Sequence, residues 1–316
     1  MDELVGFLDG PRARGAFLLR MLMSPPWSVR IEDRSPLSLV AVVRGSACIV
    51  RDDGEVVRIA PGDIALIRGP EPYLFADDPA TPPQVVIHPG QRCTTLDGED
   101  LSESMGLGVR TWGNDPDGGS VVLVGVYEQR TAIGGRLVDA LPPQVVVPGE
   151  AASERLVGIL ADEIGRDEPG QATVLDRLLD LLLVGALRAW FSRPDAESPA
   201  WYRAYADPVV GQALRLLQHE PARPWTVASL AAELGVSRAA LARRFTELVG
   251  EPPMTFLTNW RLALAADLLR EPGATVGAVA HEVGYGSAFA LSTAFKRVRG
   301  VTPQAHRRAA LAGVGG

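Results

Sequence analysis

Two arginines stand five residues apart in the stretch ELGVSRAALARRFTELVG, which occupies residues 233–250. In a helical reading of this stretch, Arg238 and Arg243 fall on the face opposite an apolar stripe at i, i+4 and i+7. The stripe consists of Leu241, Phe245 and Leu248. An outward arginine on a short helix can pair through its planar guanidinium with O6 and N7 of guanine. The two arginines therefore predict contact with the base edges of DNA.

The element that would carry these arginines occurs twice in the chain. The stretch EVGYGSAFALSTAFKRVRG repeats the first: Ser237 recurs as Ser287, 50 residues on, and a phenylalanine follows each serine by eight residues. A short helix, a glycine turn and a second helix sized for the major groove are typical of a helix-turn-helix. We therefore predict two helix-turn-helix units, at 226–249 and 275–299.

Suitable residues stand where each predicted helix should begin and end. Thr226, Ser237, Thr275 and Ser287 are N-cap residues by type, and Gly235 is a helix-ending residue. Between the two units, MTFLTNWRLALAADLLR predicts one helix of about 17 residues, or roughly 25 Å. A spacer of that order suits two recognition helices about one DNA turn apart, at ~34 Å.

Charge is distributed unequally along the 316 residues. From Pro208 onward there are 12 Lys and Arg against 7 Asp and Glu, whereas the rest holds 19 against 31. The net charge of −7 therefore hides a basic C-terminal third. A basic domain with paired helix-turn-helix units favours DNA binding over the alternative that these are ordinary amphipathic helices.

The part before the basic third divides into a β-rich and a helical region. Short strands broken by Gly, Pro and Asp turns fill 15–150, with loops at 76–83 and 98–119, and predict an antiparallel sandwich or barrel. Apolar residues at helical intervals follow from Ala151. The fold class is thus α+β and multidomain. We expect a β domain at 1–150, a helical connector at 151–207 that ends in a linker from residue 194, and an all-α double helix-turn-helix domain at 208–310.

The residues quoted above resemble the AraC/XylS family of DNA-binding domains, and the resemblance covers about 100 residues. The upstream stretches VVRGSACIV, APGDIALIRGP and LVGVYEQRTAIGGRLVDALPPQVVV are similar to the cupin-type sensor domain of one branch of that family. The resemblance implies a cytoplasmic, one-component transcription regulator that binds double-stranded promoter DNA. It also implies an unknown small-molecule effector, and leaves RNA polymerase as a candidate partner.

By motif position, the resemblance places base-facing sites on both recognition helices. They are Arg238, Ala239, Ala242 and Arg243 on the first helix, and Ala288, Phe289, Ser292 and Thr293 on the second. Thr293 stands where the family often has Arg, so most direct readout is expected from the first helix. Phe289 either touches a thymine methyl or packs inward, and packing is favoured.

Phosphate contacts are expected at the helix starts and at the basic end of the second recognition helix. These residues are Ser237, Ser287, Lys296, Arg297 and Arg299.

The β domain offers three residues that could line an effector pocket, namely Trp27, Arg30 and Tyr73. Trp27 could equally be a core residue. The His and Glu cluster of a metal-holding cupin is missing, and His88 is the only histidine there. No metal or cofactor is expected, and the protein is not expected to be an enzyme. The alternative is a cupin-type enzyme or ligand-binding protein whose helical tail serves protein interaction.

The chain has two cysteines, Cys48 and Cys93, which could form a redox switch or simply be small buried hydrophobes. Cys93 would be the reactive thiol, because the neighbouring Arg92 favours thiolate. Acidic residues near the N-terminus and the low cysteine content favour a cytoplasmic protein with no membrane segment. The helices at 151–192 are expected to form either a homodimer interface or a brace to the DNA-binding domain, and the homodimer interface is favoured.

Overall fold

A computed structural model describes residues 16–128, 132–149, 151–193, 199–271 and 273–312. The described residues form two compact units. The first takes those from 16 to 128 and from 141 to 193, and the second takes those from 132 to 140 and from 199 to 312.

The first unit is built on two β-sheets. The strands are β1 Phe17–Met23, β2 Ser28–Ile31, β3 Leu37–Arg44, β4 Ala47–Arg51, β5 Val56–Ile59, β6 Ile64–Arg68, β7 Tyr73–Ala76, β8 Val85–Ile87, β9 Cys93–Thr95, β10 Gly106–Gly108, β11 Thr111–Gly113, β12 Ser120–Tyr127 and β13 Gln144–Val147. One sheet has the order β10-β11-β1-β12-β3-β6-β13 and the other β5-β4-β7-β2-β8-β9. Most pairs are antiparallel, as predicted, but β1 with β11 and β2 with β8 are parallel.

Alternate residues of both sheets meet in one apolar core. On β1, Met21 and Met23 enter this core, and on β3 Val40 and Val42 do the same. A period of two is what a strand with one face toward the core requires. On these two strands, every second residue therefore points into the core.

Strand β3 is buried on both faces, because helices cover the outer side of its sheet. These helices are α2, Ala151–Glu163, and α3, Gln171–Phe191. A Cβ at Gly125 on β12 would lie 2.6 Å from Cδ1 of Leu179 on α3, so glycine allows this close approach. The helices expected as a separate connector thus pack against the β unit, since their apolar stripe needs a partner.

The second unit is helical. Its helices are α1 Ala132–Asp139, α4 Ala200–Ala204, α5 Val210–His219, α6 Val227–Glu233, α7 Arg238–Val249, α8 Pro253–Leu268, α9 Val276–Glu282, α10 Ala288–Arg299 and α11 Pro303–Ala312. Helix α1, which lies between β12 and β13 in the sequence, packs on α8, and the Ala132 amide donates to Oδ1 of Asp267 at 2.6 Å.

Three details differ from the sequence-based expectation. Residues 132–139, expected in the β domain at 1–150, form the helix α1 of the helical unit. The region 98–119, read as a loop, contains the three-residue strands β10 and β11. Strands this short have no detectable alternation. The region read as a linker at 194–208 contains the helix α4, and residues 194–198 lie outside the described ones.

Candidate DNA-binding surface and an internal cavity

The first helix-turn-helix consists of α6, a turn at Gly235 and α7. Thr226 and Ser229 form a reciprocal cap at the start of α6, with the Ser229 amide 3.0 Å from Thr226 Oγ1. Ser237 caps α7 by accepting from the Ala240 amide at 3.2 Å. Gly235 has a φ of +66°, a left-handed conformation that suits glycine. The predicted caps and turn are confirmed.

Helix α7 buries one side and exposes the other. Leu241 and Phe245 are fully buried, and the Phe245 ring meets Phe256 of α8 edge-on at 5.8 Å between centroids. On the opposite side, Arg238 and Arg243 are exposed. The fixed inner side holds the arginines at defined positions on the surface. Of the other candidate residues, Ala239 is exposed and Ala242 is half-buried.

Arg243 is only weakly engaged within the protein. Its Nε lies 3.8 Å from Oε1 of Glu247, and both side chains are largely exposed, at 76% and 65%. An exposed pair at this distance contributes about 0–1 kcal/mol. The guanidinium of Arg243 is therefore available to an external ligand at little cost.

Arg244, the next residue, has a structural role instead. Its Nε donates to Oδ2 of Asp207 at 2.8 Å, and Oδ1 of Asp207 accepts from the amides of Val209 and Val210. Burial alone would raise the pKa of the Asp207 carboxyl, but the bonds from Val210, Arg244 and Val209 hold the pKa below its ordinary value. Sequence alone did not separate Arg244 from Arg243, because the Asp207 contact spans 37 residues.

The second helix-turn-helix repeats this construction in α9, a turn at Gly284 and α10. Thr275 and Ser287 cap the two helices by accepting from amides three residues on, each at 3.2 Å. Gly284 has a φ of +88°, and a Cβ there would lie 2.7 Å from Cα of Ala222. Only glycine fits this turn.

The outer side of α10 presents an exposed aromatic ring. Phe289 is 82% exposed, so the favoured expectation that it packs inward is wrong. The hydroxyl of Ser292 donates to the Ala288 carbonyl at 2.7 Å, and that of Thr293 donates to the Phe289 carbonyl at 3.0 Å. Both hydroxyl hydrogens are thus used within the helix. The surface formed by Ala288, Phe289, Ser292 and Thr293 offers an external ligand an aromatic ring rather than donors.

Positive charge lies at the end of α10 that is remote from Phe289. Lys296, Arg297 and Arg299 are exposed there, and the Arg299 guanidinium lies 5.9 Å from the centroid of the Phe295 ring. The Phe295 side chain is itself fully buried. Arg299 of this basic cluster is therefore anchored by its contact with a ring of the domain core.

Arg261 of α8 contacts the segment before α6 and lies beside the turn of the second helix-turn-helix, and sequence reasoning missed it. Its Nε donates to the Pro221 carbonyl at 2.7 Å and its Nη2 to the Arg223 carbonyl at 2.9 Å. The same Nη2 lies 3.0 Å from where a Cβ at Gly284 would stand. Burial lowers the pKa of Arg261 from its ordinary value. No local pattern in the sequence marks Arg261, because its partners lie 38 and 40 residues away.

A cavity of about 180 Å³ lies within the β unit. Its walls come from inward-facing residues of both sheets, among them Met21, Val29, Val40, Phe75 and Val124. Asp33, Ser38, Tyr73, Gln91 and Ser102 add polar atoms to the lining.

Of the three residues predicted to line an effector pocket, one lines the cavity, one lies in the core and one lies at the surface. Tyr73 lines the cavity. Trp27 is fully buried in the core, 5.3 Å from Phe75 between ring centroids. The guanidinium of Arg30 binds Asp52, with Nη1 2.6 Å from Oδ1, and contacts Glu32. These ion pairs hold Arg30 at the surface.

The two cysteines do not have the properties of a switch. Cys48 is on β4 and Cys93 on β9, which are four strand positions apart in one sheet, or roughly 19 Å. A disulfide requires Cα atoms within about 7 Å. Burial raises the pKa of Cys93 to about 11, which contradicts the expectation of a reactive thiolate beside Arg92. Burial also raises the pKa of Cys48.

The described residues lack both a metal-binding cluster and a membrane-spanning helix. They contain no group of three or more His, Cys, Asp or Glu that could hold a metal ion. Within the same part of the chain, every helix is too short or too polar to cross a membrane.

Comparison with known proteins gives the family. The Cupin family profile matches residues 2–192, and a helix-turn-helix domain profile matches residues 230–309. An AraC-like transcription regulator from Streptomyces lividans is 35% identical over 98% of this chain and 98% of its own. A second, from Streptomyces antibioticus, is 35% identical over 98% and 99%. This chain belongs to the AraC-like transcription regulators.

More distant matches extend the comparison. The regulator AlkR of Acinetobacter baylyi is 27% identical to this AraC-like regulator over 98% of this chain and 99% of its own. The DNA-binding domain of AdpA, solved with a target DNA, is 34% identical over 33% of this chain and 92% of its own, with a TM-score of 0.31.

The family membership confirms the predicted fold class and functional class. The AraC-like regulator combines a cupin-like β unit with an AraC-type DNA-binding domain. The alternative of a cupin-type enzyme is set aside, because the relatives that match over the whole chain are transcription regulators.

Proposed function

We propose that the two helix-turn-helix units bind one specific promoter sequence in successive major grooves. The observation that carries this proposal is the pair of capped helices α7 and α10, each with a buried inner side and an exposed outer side. Helix α8 between them has 16 residues, or about 24 Å of axis. Such a spacer suits two readers about one turn of DNA apart.

The two helices would read DNA by different chemistry. Arg238 and Arg243 on α7 supply donors that match O6 and N7 of guanine. On α10, the exposed ring of Phe289 matches the C5 methyl of thymine, which projects into the major groove. The predicted site therefore has a guanine-containing half and a thymine-containing half.

Phosphate contacts would fix the protein on the duplex. Ser237 and Ser287 stand at the N-termini of the recognition helices, where backbone amides and the helix dipole favour an anion. Lys296, Arg297 and Arg299 would add charge on the second half. These contacts position the helices but carry no sequence information.

The decisive experiment compares genome-wide binding of the wild type with that of the Arg238→Ala/Arg243→Ala double variant. We expect a discrete motif for the wild type and its loss in the double variant. A wild type that binds DNA without any motif would refute sequence-specific reading. Arg215→Ala on α5, outside both recognition helices, serves as the matched control.

The β unit is proposed to sense a small molecule in its internal cavity. The mostly apolar lining with a few polar groups has the composition of ligand pockets. A redox signal through Cys48 and Cys93 is not proposed, since both thiols are buried and lie far apart along the sheet. Transcription assays on the promoters found by genome-wide binding would show whether the ligand makes this protein recruit RNA polymerase or block it.

We also propose that the protein forms a homodimer through α3. Its proposed location is the cytoplasm, where promoter DNA resides. Val174 and Leu181 are seven residues apart on one side of α3 and are 44% and 52% exposed. Leu181 also lines a groove of about 720 Å³ beside α2. We expect Leu181→Glu to lower the mass measured by light scattering, with Val56→Glu on the exposed edge strand as control. An unchanged mass would move the interface elsewhere.

A further inference from the structure

We propose that the cavity of the β unit binds a lipophilic amine about as large as a single ring, with its cationic head at Asp33. This inference names the class of effector and rests on the proposal that the β unit senses a small molecule.

The size and walls of the cavity define the body of the ligand. At about 180 Å³ the cavity is slightly larger than an engineered apolar cavity of ~150 Å³ that binds benzene. Its deep wall contains Met21, Val29 and Val40, which are at most 4% exposed. An apolar ring gains free energy by leaving water for such a site.

The head of the ligand is defined by the polar residues of the lining. Asp33 and Gln91 are half-buried and Ser102 is exposed, so this end of the cavity faces solvent. The Asp33 carboxylate is held by the Ser35 amide at 3.1 Å, the Ser35 hydroxyl at 2.7 Å and Nε2 of Gln91 at 3.3 Å. These three bonds fix the position of the carboxylate, and all three donors are neutral groups.

Charge selects a cation over an anion. Among the described residues that line the cavity, Asp33 is the only charged one. An anionic head would meet this carboxylate with no Lys, Arg or His of the lining to offset the repulsion. A protonated amine would be attracted to Asp33 and to the aromatic faces of Tyr73 and Trp112.

Tyr73 strengthens this selection because it remains neutral. Burial raises the pKa of its phenol, and the neighbouring charge of Asp33 raises it further. The phenol shares a hydrogen bond with Ser38. Tyr73 thus adds a neutral hydroxyl and an aromatic face, but no second charge.

The test is a titration series on the full-length protein by calorimetry at pH 7. The probes are benzylamine, benzyl alcohol and benzoate, which share one ring and differ in the charge of the head. We expect benzylamine to bind about tenfold more tightly than benzyl alcohol, the ratio that ~1.4 kcal/mol produces. Benzoate should give no binding heat.

Three variants locate the binding and assign the charge effect. Asp33→Asn retains an oxygen for the Ser35 amide and should remove the preference for benzylamine. Asp52→Asn, which removes a surface carboxylate paired with Arg30, should leave it intact. Val40→Phe should fill the cavity and abolish binding of every probe. Melting curves without ligand establish that each variant is folded.

The outcomes separate the two proposals. Equal or weaker binding of benzylamine relative to benzyl alcohol by the wild type would overturn the amine class, while small-molecule sensing in the cavity would stand. Binding that persists in Val40→Phe would place the probes outside the cavity and overturn the inference. No binding of any probe by protein that still binds DNA would overturn the amine class and remove support for sensing in this cavity.

Discussion

Arg244 on the first recognition helix donates from Nε to Oδ2 of Asp207 at 2.8 Å, and Asp207 in turn accepts two amides at the start of α5. This one carboxylate thus holds a helix start and the recognition helix α7 together. The orientation of α7 therefore depends on a residue outside the helix-turn-helix itself.

Replacing Asp207 by Asn should destabilise the helical unit at neutral pH by about 1–3 kcal/mol, since a hydrogen-bonded charge is removed. The pKa of Asp207 is lowered in the folded state, so its contribution is present above the unfolded value of about 3.9. It is lost as pH falls through the folded pKa. Urea unfolding of both proteins at pH 7 and near pH 3 checks this, because their difference should shrink at the lower pH.

Glu247→Gln is the control for this effect. Glu247 pairs with Arg243 at 3.8 Å, and both side chains are largely exposed, so its loss should cost under about 0.5 kcal/mol. If the free energies of unfolding of wild type and Asp207→Asn differ by the same amount at both pH values, a role for the Asp207 charge would be excluded.

Arg243→Ala should weaken binding to the DNA motif found by genome-wide binding by about 1–3 kcal/mol, and should relax specificity at one base pair. The guanidinium is exposed and makes only a weak contact within the protein, so its loss should leave the folded state intact. Fluorescence anisotropy measures the affinity for a duplex that carries this motif and for a duplex of scrambled sequence. An equal loss on the two duplexes would instead identify a phosphate contact.

Phe289 should make the second half-site sensitive to the thymine methyl. Deoxyuridine in place of thymine removes only that methyl, and the loss should be about fourfold per methyl, from ~0.8 kcal/mol per buried carbon. Phe289→Ala should bind the two duplexes equally. Val298→Ala, at a 48% exposed position near the end of α10, should retain the wild-type response. A wild type indifferent to the exchange would rule out methyl readout.

Gly284→Ala and Gly235→Ala should differ in cost although both glycines have positive φ. At Gly235 a Cβ meets nothing within 4 Å, so only the conformational cost of about 1–2 kcal/mol applies. At Gly284 the Cβ would also stand 2.7 Å from Cα of Ala222 and 3.0 Å from Nη2 of Arg261. Overpacking adds about 1–3 kcal/mol. Unfolding followed by circular dichroism compares them, and equal costs would show that the turn relaxes.

Local features of the sequence determined most of the DNA-binding domain. Thr226, Ser237, Thr275 and Ser287 begin helices where predicted, because a cap depends on residues three positions apart. The inner sides of α7 and α10 follow from the spacing of their apolar residues. Two-residue alternation likewise indicated the inner face of β1, whereas β3 is apolar throughout and buried on both faces.

Tertiary structure decided what these side chains contact. Arg243 and Arg244 are alike in sequence, yet only the second meets Asp207, 37 positions away. Phe289 is apolar but exposed, because the buried side of α10 is already occupied by Leu291, Ala294 and Phe295. Cys93 lies beside Arg92 in the chain, but a strand points neighbouring side chains to opposite faces, so the thiol is buried. Caps and periodicity act within a few residues of chain, whereas contacts between remote elements form only when those elements pack.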